Sequence, residues 1–198
     1  MRPQAALKKL TPLLKNTSFT SKEAQGRGVS SATLAYYIKH GEIVRIGHGI
    51  YRGTDAPRIT DFRWEDLFEA VQKVKDGIVC LTSALALYGF TEEIPRQHWI
   101  AIRNETVHHG SPSTKVIRMR NFKLGKTNFK IGKVSFHIFD RERTIVDSFR
   151  YLGRETALKA LKAALTKRGS EKIDLEKIRK YAKILHVKIE PYILAVTT

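Results

Sequence analysis

Cysteine is nearly absent from this 198-residue chain, which contains only Cys80. The chain therefore cannot form an internal disulfide or a metal site built from several cysteines. That composition fits a reducing compartment, and we expect a cytoplasmic protein. No apolar run approaches the roughly 18 residues that a membrane span needs, so we expect no membrane partner. The N-terminus MRPQAALKKLTPLLK also lacks the long apolar stretch of a signal peptide.

Acidic residues are scarce relative to basic ones. The 19 Asp and Glu are outnumbered by 36 Lys and Arg, which gives a formal net charge of +17. The basic excess lies in residues 1–58 and 115–198, whereas residues 59–114 contain more acidic than basic side chains. Such a chain attracts polyanions, of which nucleic acid is the commonest. On charge alone, a basic protein with solvated lysines remains the alternative.

The N-terminal quarter has the start and stop signals of two short helices joined by a tight turn. Thr20 or Ser21 is a good N-cap for a helix that ends near Arg27, and Glu23 stands three residues after Thr20, at the capping-box spacing. Ser30 caps a second helix over residues 31–40. Helix, short turn and helix form the helix-turn-helix arrangement.

A glycine-rich hairpin follows the second helix at once. In the stretch RIGHGIYRG, residues 45–53, Gly47 and Gly49 predict a tight reversal between two short strands. A helix-turn-helix followed by a hairpin is a winged helix, whose second helix can enter the major groove. We therefore predict a winged helix-turn-helix DNA-binding domain over residues 1–56. Winged helices also serve as protein–protein modules, which is the alternative at this point.

Helical phase divides the second helix into two faces. Val29, Leu34, Tyr37 and Ile38 fall together and are expected to pack inward. Hydroxyls and backbone N–H groups at the helix start suit phosphates or base edges. The outward face lacks Arg, Gln and Asn, so we expect specificity from Ser, Thr, Tyr and DNA shape. The predicted DNA-binding residues are Lys22, Arg27, Ser30, Ser31, Thr33, Tyr36, Lys39, Arg45, His48 and Arg52.

A second domain is predicted over residues 60–198. Alternating residues predict strands at 98–103, 115–122 and 129–139, and most of the remainder has the leucine spacing of helices. The apolar stretch around residues 77–90 is predicted to be either a helix or a strand–helix unit, with Thr82 or Ser83 as the cap of its helix. We therefore predict an α+β protein whose C-terminal domain is mixed α/β, with a small sheet packed by helices.

One segment of this domain is basic without local compensation. Residues 115–133 contain seven basic and no acidic side chains, and like charges at that density repel one another. We predict a second basic surface that meets DNA or RNA. The alternative is a solvated sheet face balanced by the acidic middle of the chain. The residues are Lys115, Arg118, Arg120, Lys123, Lys126, Lys130 and Lys133.

No group of residues in the sequence strongly predicts a catalytic or metal site. Asp140, Glu142 and Asp147 are close enough in sequence to hold Mg²⁺, but Asp147 in the RTIVDSF stretch is more typical of a structural carboxylate paired with an arginine. His108 and His109 have no cysteine or carboxylate at ligand spacing. We therefore predict no catalytic residue, no metal, no cofactor and no enzymatic activity.

Four segments, in order and spacing, resemble the AbiEi family, the antitoxins of bacterial type IV (AbiE) toxin–antitoxin systems. They are FTSKEAQGRGVSSATLAYYIKHGEIVRIGHGIYRG, IVCLTSALALYGFTEEIP, WIAIR and DRERTIVDSFRYLG, and the similarity extends over roughly residues 15–165. The resemblance implies that the winged helix binds operator inverted repeats in double-stranded DNA and represses its own operon. It places the DNA-contacting elements on the helix from Ser30 to His40 and on the wing at 45–52.

The resemblance also implies that the protein counteracts a cognate nucleotidyltransferase toxin, in systems linked to phage defence, and that the C-terminal domain at 60–198 is needed for this. Direct contact with the toxin stays open. Two other classes remain as alternatives. One is a stand-alone winged-helix transcriptional regulator whose C-terminal domain senses a ligand or a partner, and the other is a nucleic-acid-processing enzyme.

Overall fold

The chain divides into two compact units, each with its own core. The first contains Met1–Lys75 and Lys130–Ser135, and the second contains Asp76–Phe129 and Phe136–Thr198. The expected boundary near residues 56–60 therefore lies before the end of the first unit. The assignment of DNA binding to one part and antitoxin activity to the other stays a prediction. The structure, a computed structural model, describes residues 3–16, 18–56, 64–74, 76–106, 112–132 and 134–197.

The first unit is a small helical domain with a three-stranded sheet. The predicted helix pair and hairpin are present, as α2, α3, β2 and β3. A two-residue strand, β1, pairs antiparallel with β3 and was not predicted, because so short a strand has no periodicity to read. The strand order is β1-β3-β2. The elements are α1 (Pro3–Leu14), β1 (Phe19–Thr20), α2 (Ser21–Gly26), α3 (Ser31–Lys39), β2 (Ile43–Gly47), β3 (Ile50–Gly53) and α4 (Glu65–Lys73).

The core of the first unit gathers apolar side chains from the helices and the sheet. Leu34 and Tyr37 of α3 are buried as predicted, and Val29 in the turn joins them. The inward placement of Ile38 is wrong, since 36% of this residue is exposed. The buried stripe is centred between Leu34 and Tyr37, and at 3.6 residues per turn Ile38 lies roughly 70° from that centre.

The second unit is built on a five-stranded mixed sheet with order β6-β5-β4-β8-β7, in which the end of β7 and the start of β8 fall in the 130–135 segment grouped with the first unit. Strand β4 pairs antiparallel with β5 and parallel with β8, and β5 pairs parallel with β6. With its helices, this sheet confirms the α+β class. The elements are β4 (Ile78–Val79), α5 (Leu81–Leu87), β5 (His98–Ile102), β6 (Thr114–Arg118), β7 (Lys126–Ile131), β8 (Val134–Phe139), α6 (Arg141–Tyr151), α7 (Arg154–Leu165), α8 (Leu175–Ile184) and α9 (Glu190–Thr197).

The strand–helix unit after Gly77 has a different start from the one predicted. Helix α5 begins at Leu81, directly after β4, with Cys80 at the N-cap position and no side-chain cap. Ser83, a predicted cap, is instead buried and its hydroxyl accepts a hydrogen bond from the Trp99 N–H at 2.9 Å. Burial raises the pKa of the Cys80 thiol well above its usual value, so this side chain behaves as a neutral core residue.

Helix α6 has a continuous buried stretch over residues 142–148 in the second unit. Arg143 and Asp147, one turn apart, form an ion pair of 2.6 Å, and both side chains are at most 1% exposed. Arg150 reaches the other oxygen of Asp147 at 2.9 Å from the surface side. The structural pairing expected for Asp147 is thus observed. Within the described ranges, no helix is both long and apolar enough to cross a membrane.

Replacing Arg143 tests this buried pair. Arg143→Met removes the charge while keeping much of the volume, and it leaves Asp147 buried with only a peripheral partner. We expect the free energy of unfolding to fall by about 3–5 kcal/mol. Arg150→Met removes the exposed partner of the same carboxylate and should cost about 0–1 kcal/mol. Urea unfolding of the full chain, followed by circular dichroism, compares the two. Equal losses would contradict the assigned role of Arg143.

Candidate nucleic-acid interface

The first helix of the pair begins with a complete capping box. The Thr20 N–H donates to Glu23 Oε2 at 2.6 Å, and the Glu23 N–H donates to Thr20 Oγ1 at 3.2 Å. After α2, Gly28 adopts a φ of +74°, which an L side chain rarely adopts. The Val29 N–H then donates to the Ala24 carbonyl at 3.0 Å and closes the turn. These local bonds fix the direction in which α3 leaves the turn.

The start of α3 is tied to its own cap and to α2. Ser30 Oγ accepts from the Thr33 N–H at 3.2 Å, and the Ser30 and Thr33 hydroxyls lie 2.9 Å apart. Gln25 Nε2 donates to Ser31 Oγ at 3.4 Å, which links the two helices. Ser30 and Ser31 are exposed, and Thr33 is half-buried. The hydroxyls predicted to meet DNA therefore also hold the helix start in place.

The outward face of α3 ends in a pair of stacked aromatic rings. Tyr36 is 42% exposed, and its ring lies over the His40 ring with centroids 3.8 Å apart. His40 Nδ1 also lies 2.8 Å from the Tyr36 carbonyl oxygen. Lys39 is exposed beside them, as predicted. His40 was not among the predicted contacts, although its spacing of four residues from Tyr36 placed it on the same face.

The wing is anchored to the helix pair at its tip. The Ser21 N–H, at the start of α2, donates to the Gly49 carbonyl oxygen at 2.8 Å. Arg45 Nε donates to the Gly47 carbonyl at 3.2 Å, and Arg45 Nη2 lies 3.2 Å from His48 Nδ1. The structure thus brings Arg45 and His48, two predicted contacts, together at the exposed end of the hairpin.

Arg52 differs from the other predicted cations because it forms an ion pair within the protein. Its Nη1 lies 3.4 Å from Glu65 Oε1 at the start of α4, and its side chain is only 20% exposed. The Glu65 side chain is 60% exposed, so this ion pair is solvated and weak. The charge of Arg52 is nevertheless partly balanced inside the protein. It is less available to a phosphate than the charge of Arg45.

The remaining cations of the helix pair have no acidic partner within the described part of the chain. Lys22, Arg27 and Lys39 are exposed, and none forms an ion pair with an acidic side chain that the structure describes. Lys9 of α1 joins them, because its Nζ lies 3.5 Å from the position that a Cβ on Gly28 would take. Sequence reasoning missed Lys9, since only the tertiary packing of α1 brings it beside the turn.

The six described residues of the second basic stretch are distributed over both edges of the five-stranded sheet and the loop between them. Strands β6 and β7 are the opposite edges of the five-stranded sheet, roughly 19 Å apart at the usual strand spacing. Lys115 and Arg118 are exposed on β6, with the Lys115 ammonium 4.1 Å from the Trp99 ring centroid. The other exposed members are Arg120 and Lys123 in the loop between these edges, and Lys126 and Lys130 on β7; Lys133 lies outside the described residues.

The carboxylates weighed as a metal site are engaged with cations. Lys177 Nζ lies 3.0 Å from both Asp140 Oδ2 and Glu142 Oε2. Burial alone would lower the pKa of Lys177, but its hydrogen bonds to these two carboxylates raise it well above its usual value. Burial also raises the pKa of Tyr181, whose hydroxyl donates to Asp140, to about 12. Among the described residues, no three His, Cys, Asp or Glu side chains gather as a metal site.

Two helices joined by a tight turn, followed by a hairpin with a cationic tip, are the arrangement of winged helix-turn-helix DNA-binding domains. Residues 8–52 match the family model described as "Transcriptional regulator, AbiEi antitoxin". The resemblance to the AbiEi family stated from the sequence is therefore confirmed over these residues. A comparison with curated proteins gave no match.

The capping box is tested by two threonine-to-alanine variants that should change the free energy of unfolding in opposite directions. Thr20→Ala removes the acceptor for the Glu23 N–H, and we expect a loss of about 1 kcal/mol. Thr11→Ala makes the same change on the exposed side of α1, where alanine is the better helix former, and should stabilise by a few tenths of a kcal/mol. Thermal unfolding of both variants measures the difference. Equal shifts in one direction would mean that the box does not hold the helix pair.

Proposed function

We propose that this chain is a DNA-binding antitoxin that represses its own operon and counteracts a nucleotidyltransferase toxin. One observation supports the DNA-binding part above all others. The exposed polar face of α3 and the cationic tip of the wing belong to one compact unit, within the segment that matches the AbiEi regulator family. The same family description, which names an antitoxin, supports the second part.

Helix α3 is the element that enters the major groove in this proposal. Its exposed face presents Ser31, Tyr36 and Lys39, with His40 stacked behind the tyrosine. Ser31 can hydrogen-bond to several bases, and Tyr36 can contact a thymine methyl group or a phosphate. Because this face has no arginine, discrimination between sequences depends on a few weak contacts and on the deformability of the operator.

Affinity comes mainly from cations that surround this face. Arg45 and His48 at the wing tip meet the backbone or the minor groove, while Lys9, Lys22 and Arg27 meet phosphates beside the helix pair. Each neutralised phosphate releases condensed counterions, so binding weakens as salt concentration rises. None of these side chains forms an ion pair with a described acidic residue, which supports this role. Arg45 and His48 have to exchange only their local contacts at the wing tip for contacts with DNA.

Antitoxin activity is assigned to the second unit in this proposal. The DNA-binding surface of this proposal uses residues of the first unit, and the second unit has its own hydrophobic cluster and the buried Arg143–Asp147 pair. The proposal includes no catalytic step. Asp140, Glu142 and Asp147 support that choice, because each of them is already bound by a cation of the protein.

Salt titrations of operator binding test the wing. Arg45→Ala should reduce the slope of log K against log salt by about 1, and weaken binding to operator and to unrelated DNA alike. Arg52→Ala removes the same charge from the same hairpin, but should change the slope less because Arg52 is paired with Glu65. Fluorescence anisotropy with labelled upstream DNA at several salt concentrations measures both. A slope that Arg45→Ala leaves unchanged would mean that the wing does not touch DNA.

Growth rescue tests the antitoxin function separately. The chain is expressed from an unrelated promoter together with the product of the neighbouring gene, which the proposal requires to be a nucleotidyltransferase toxin. We expect the intact chain and Arg45→Ala to restore growth, whereas Arg143→Met, which destabilises the second unit, should not. Immunoblots control for protein level. Operator binding without rescue by the intact chain would refute the antitoxin part and favour a stand-alone regulator.

A further inference from the structure

The second unit contains a cavity that the proposed function does not use. It lies beside the end of β5, the loop that follows β6 and the end of α8, and its volume is about 540 Å³. That volume is within the range of small-molecule sites, about 300–1,000 Å³. The described lining residues are Arg103, Asn104, Glu105, Met119, Arg120, Asn121, Phe122, Lys123, Leu124 and Ile184.

The loop that forms one wall of this cavity is held in place by the buried Arg143 side chain. Arg143 Nη1 donates to the carbonyl oxygens of Asn121 at 3.2 Å and Leu124 at 3.1 Å. Gly125 has a φ of +69°, and a Cβ there would lie 2.7 Å from Arg143 Cβ, so only glycine permits this close approach. The wall is therefore formed before any ligand binds, which lowers the entropic cost of binding.

The side chains that line the cavity include both cations and apolar groups. Arg103, Arg120 and Lys123 are exposed, and none of them pairs with a described acidic side chain, although Glu105 also lines the cavity. The Arg103 guanidinium carbon lies over the Phe122 ring, 5.6 Å from its centroid, within the range of a cation–π contact. Ile184 adds apolar surface and is 41% exposed.

We propose that this cavity binds a nucleoside phosphate. Guanidinium groups recognise phosphate oxygens in bidentate geometry, and Lys123 adds a third positive charge. The Phe122 ring, the Arg103 guanidinium over it and Ile184 supply a surface on which a base can lie. Inorganic phosphate would leave this apolar surface in water, whereas a free nucleoside would leave the cations unused. The ligand is either a free nucleotide or the phosphorylated end of a nucleic-acid strand.

Calorimetric titration of the full-length chain tests the site with ADP, adenosine and inorganic phosphate. We expect ADP to bind at least about tenfold more tightly than either of the others, a difference of about 1.4 kcal/mol or more. Arg103→Gln with Arg120→Gln should weaken ADP binding by at least about tenfold. The matched control, Arg118→Gln with Lys126→Gln, removes the same charge from exposed positions outside the cavity and should leave ADP affinity within about twofold.

Several results would overturn the proposal. If the control variant loses as much affinity for ADP as the Arg103→Gln, Arg120→Gln variant, ADP is held by general attraction to a basic protein. If inorganic phosphate binds as tightly as ADP, the cavity is a simple anion site. If ADP does not bind the intact chain, a 5′-phosphorylated RNA decamer is titrated next. Binding of the decamer that the Arg103→Gln, Arg120→Gln variant abolishes identifies the strand end as the ligand. If neither ADP nor the decamer binds, the proposal is wrong. None of these titrations involves operator DNA or the toxin, so failure here leaves the function proposed above untouched.

Discussion

The hydrogen bond from the Ser21 N–H to the Gly49 carbonyl ties the wing tip to the first helix of the pair. A winged helix has to present its second helix and its wing to one duplex at the same time, so their relative position must be set in advance. The short pairing of Phe19 with Tyr51 adds a second tie between the same parts. Both ties use backbone groups, and the Gly49 φ of +69° makes the first one possible.

Affinity and discrimination arise from different side chains in this account. The cations lie around the rim, on α1, α2 and the wing, whereas the centre of α3 carries small hydroxyls and the Tyr36–His40 stack. A surface of this kind attracts any duplex strongly and distinguishes sequences weakly. In the second unit, the buried Arg143 supports both the core, through Asp147, and the cavity wall, through the Asn121 and Leu124 carbonyls.

The features that sequence reasoning predicted are those fixed within a few residues. The Thr20–Glu23 box and the Ser30 cap depend on bonds across three positions, and they formed as expected. Features set by distant parts of the chain were missed or misplaced. The Arg52–Glu65 pair joins residues 13 apart, and the strand order separates a basic stretch that is continuous in sequence. Local sequence patterns do not predict contacts or strand order between residues far apart in the chain. The cavity was missed for the same reason, because its lining comes from separate segments.

Hydrogen exchange of the full chain, with and without DNA from upstream of its operon, tests whether α3 and the wing bind the duplex together. We expect DNA to slow exchange at the amides of α3 and of the wing at 45–52, and added salt to reverse this protection. Protection confined to the second unit, with α3 and the wing exchanging as in the free protein, would contradict this expectation.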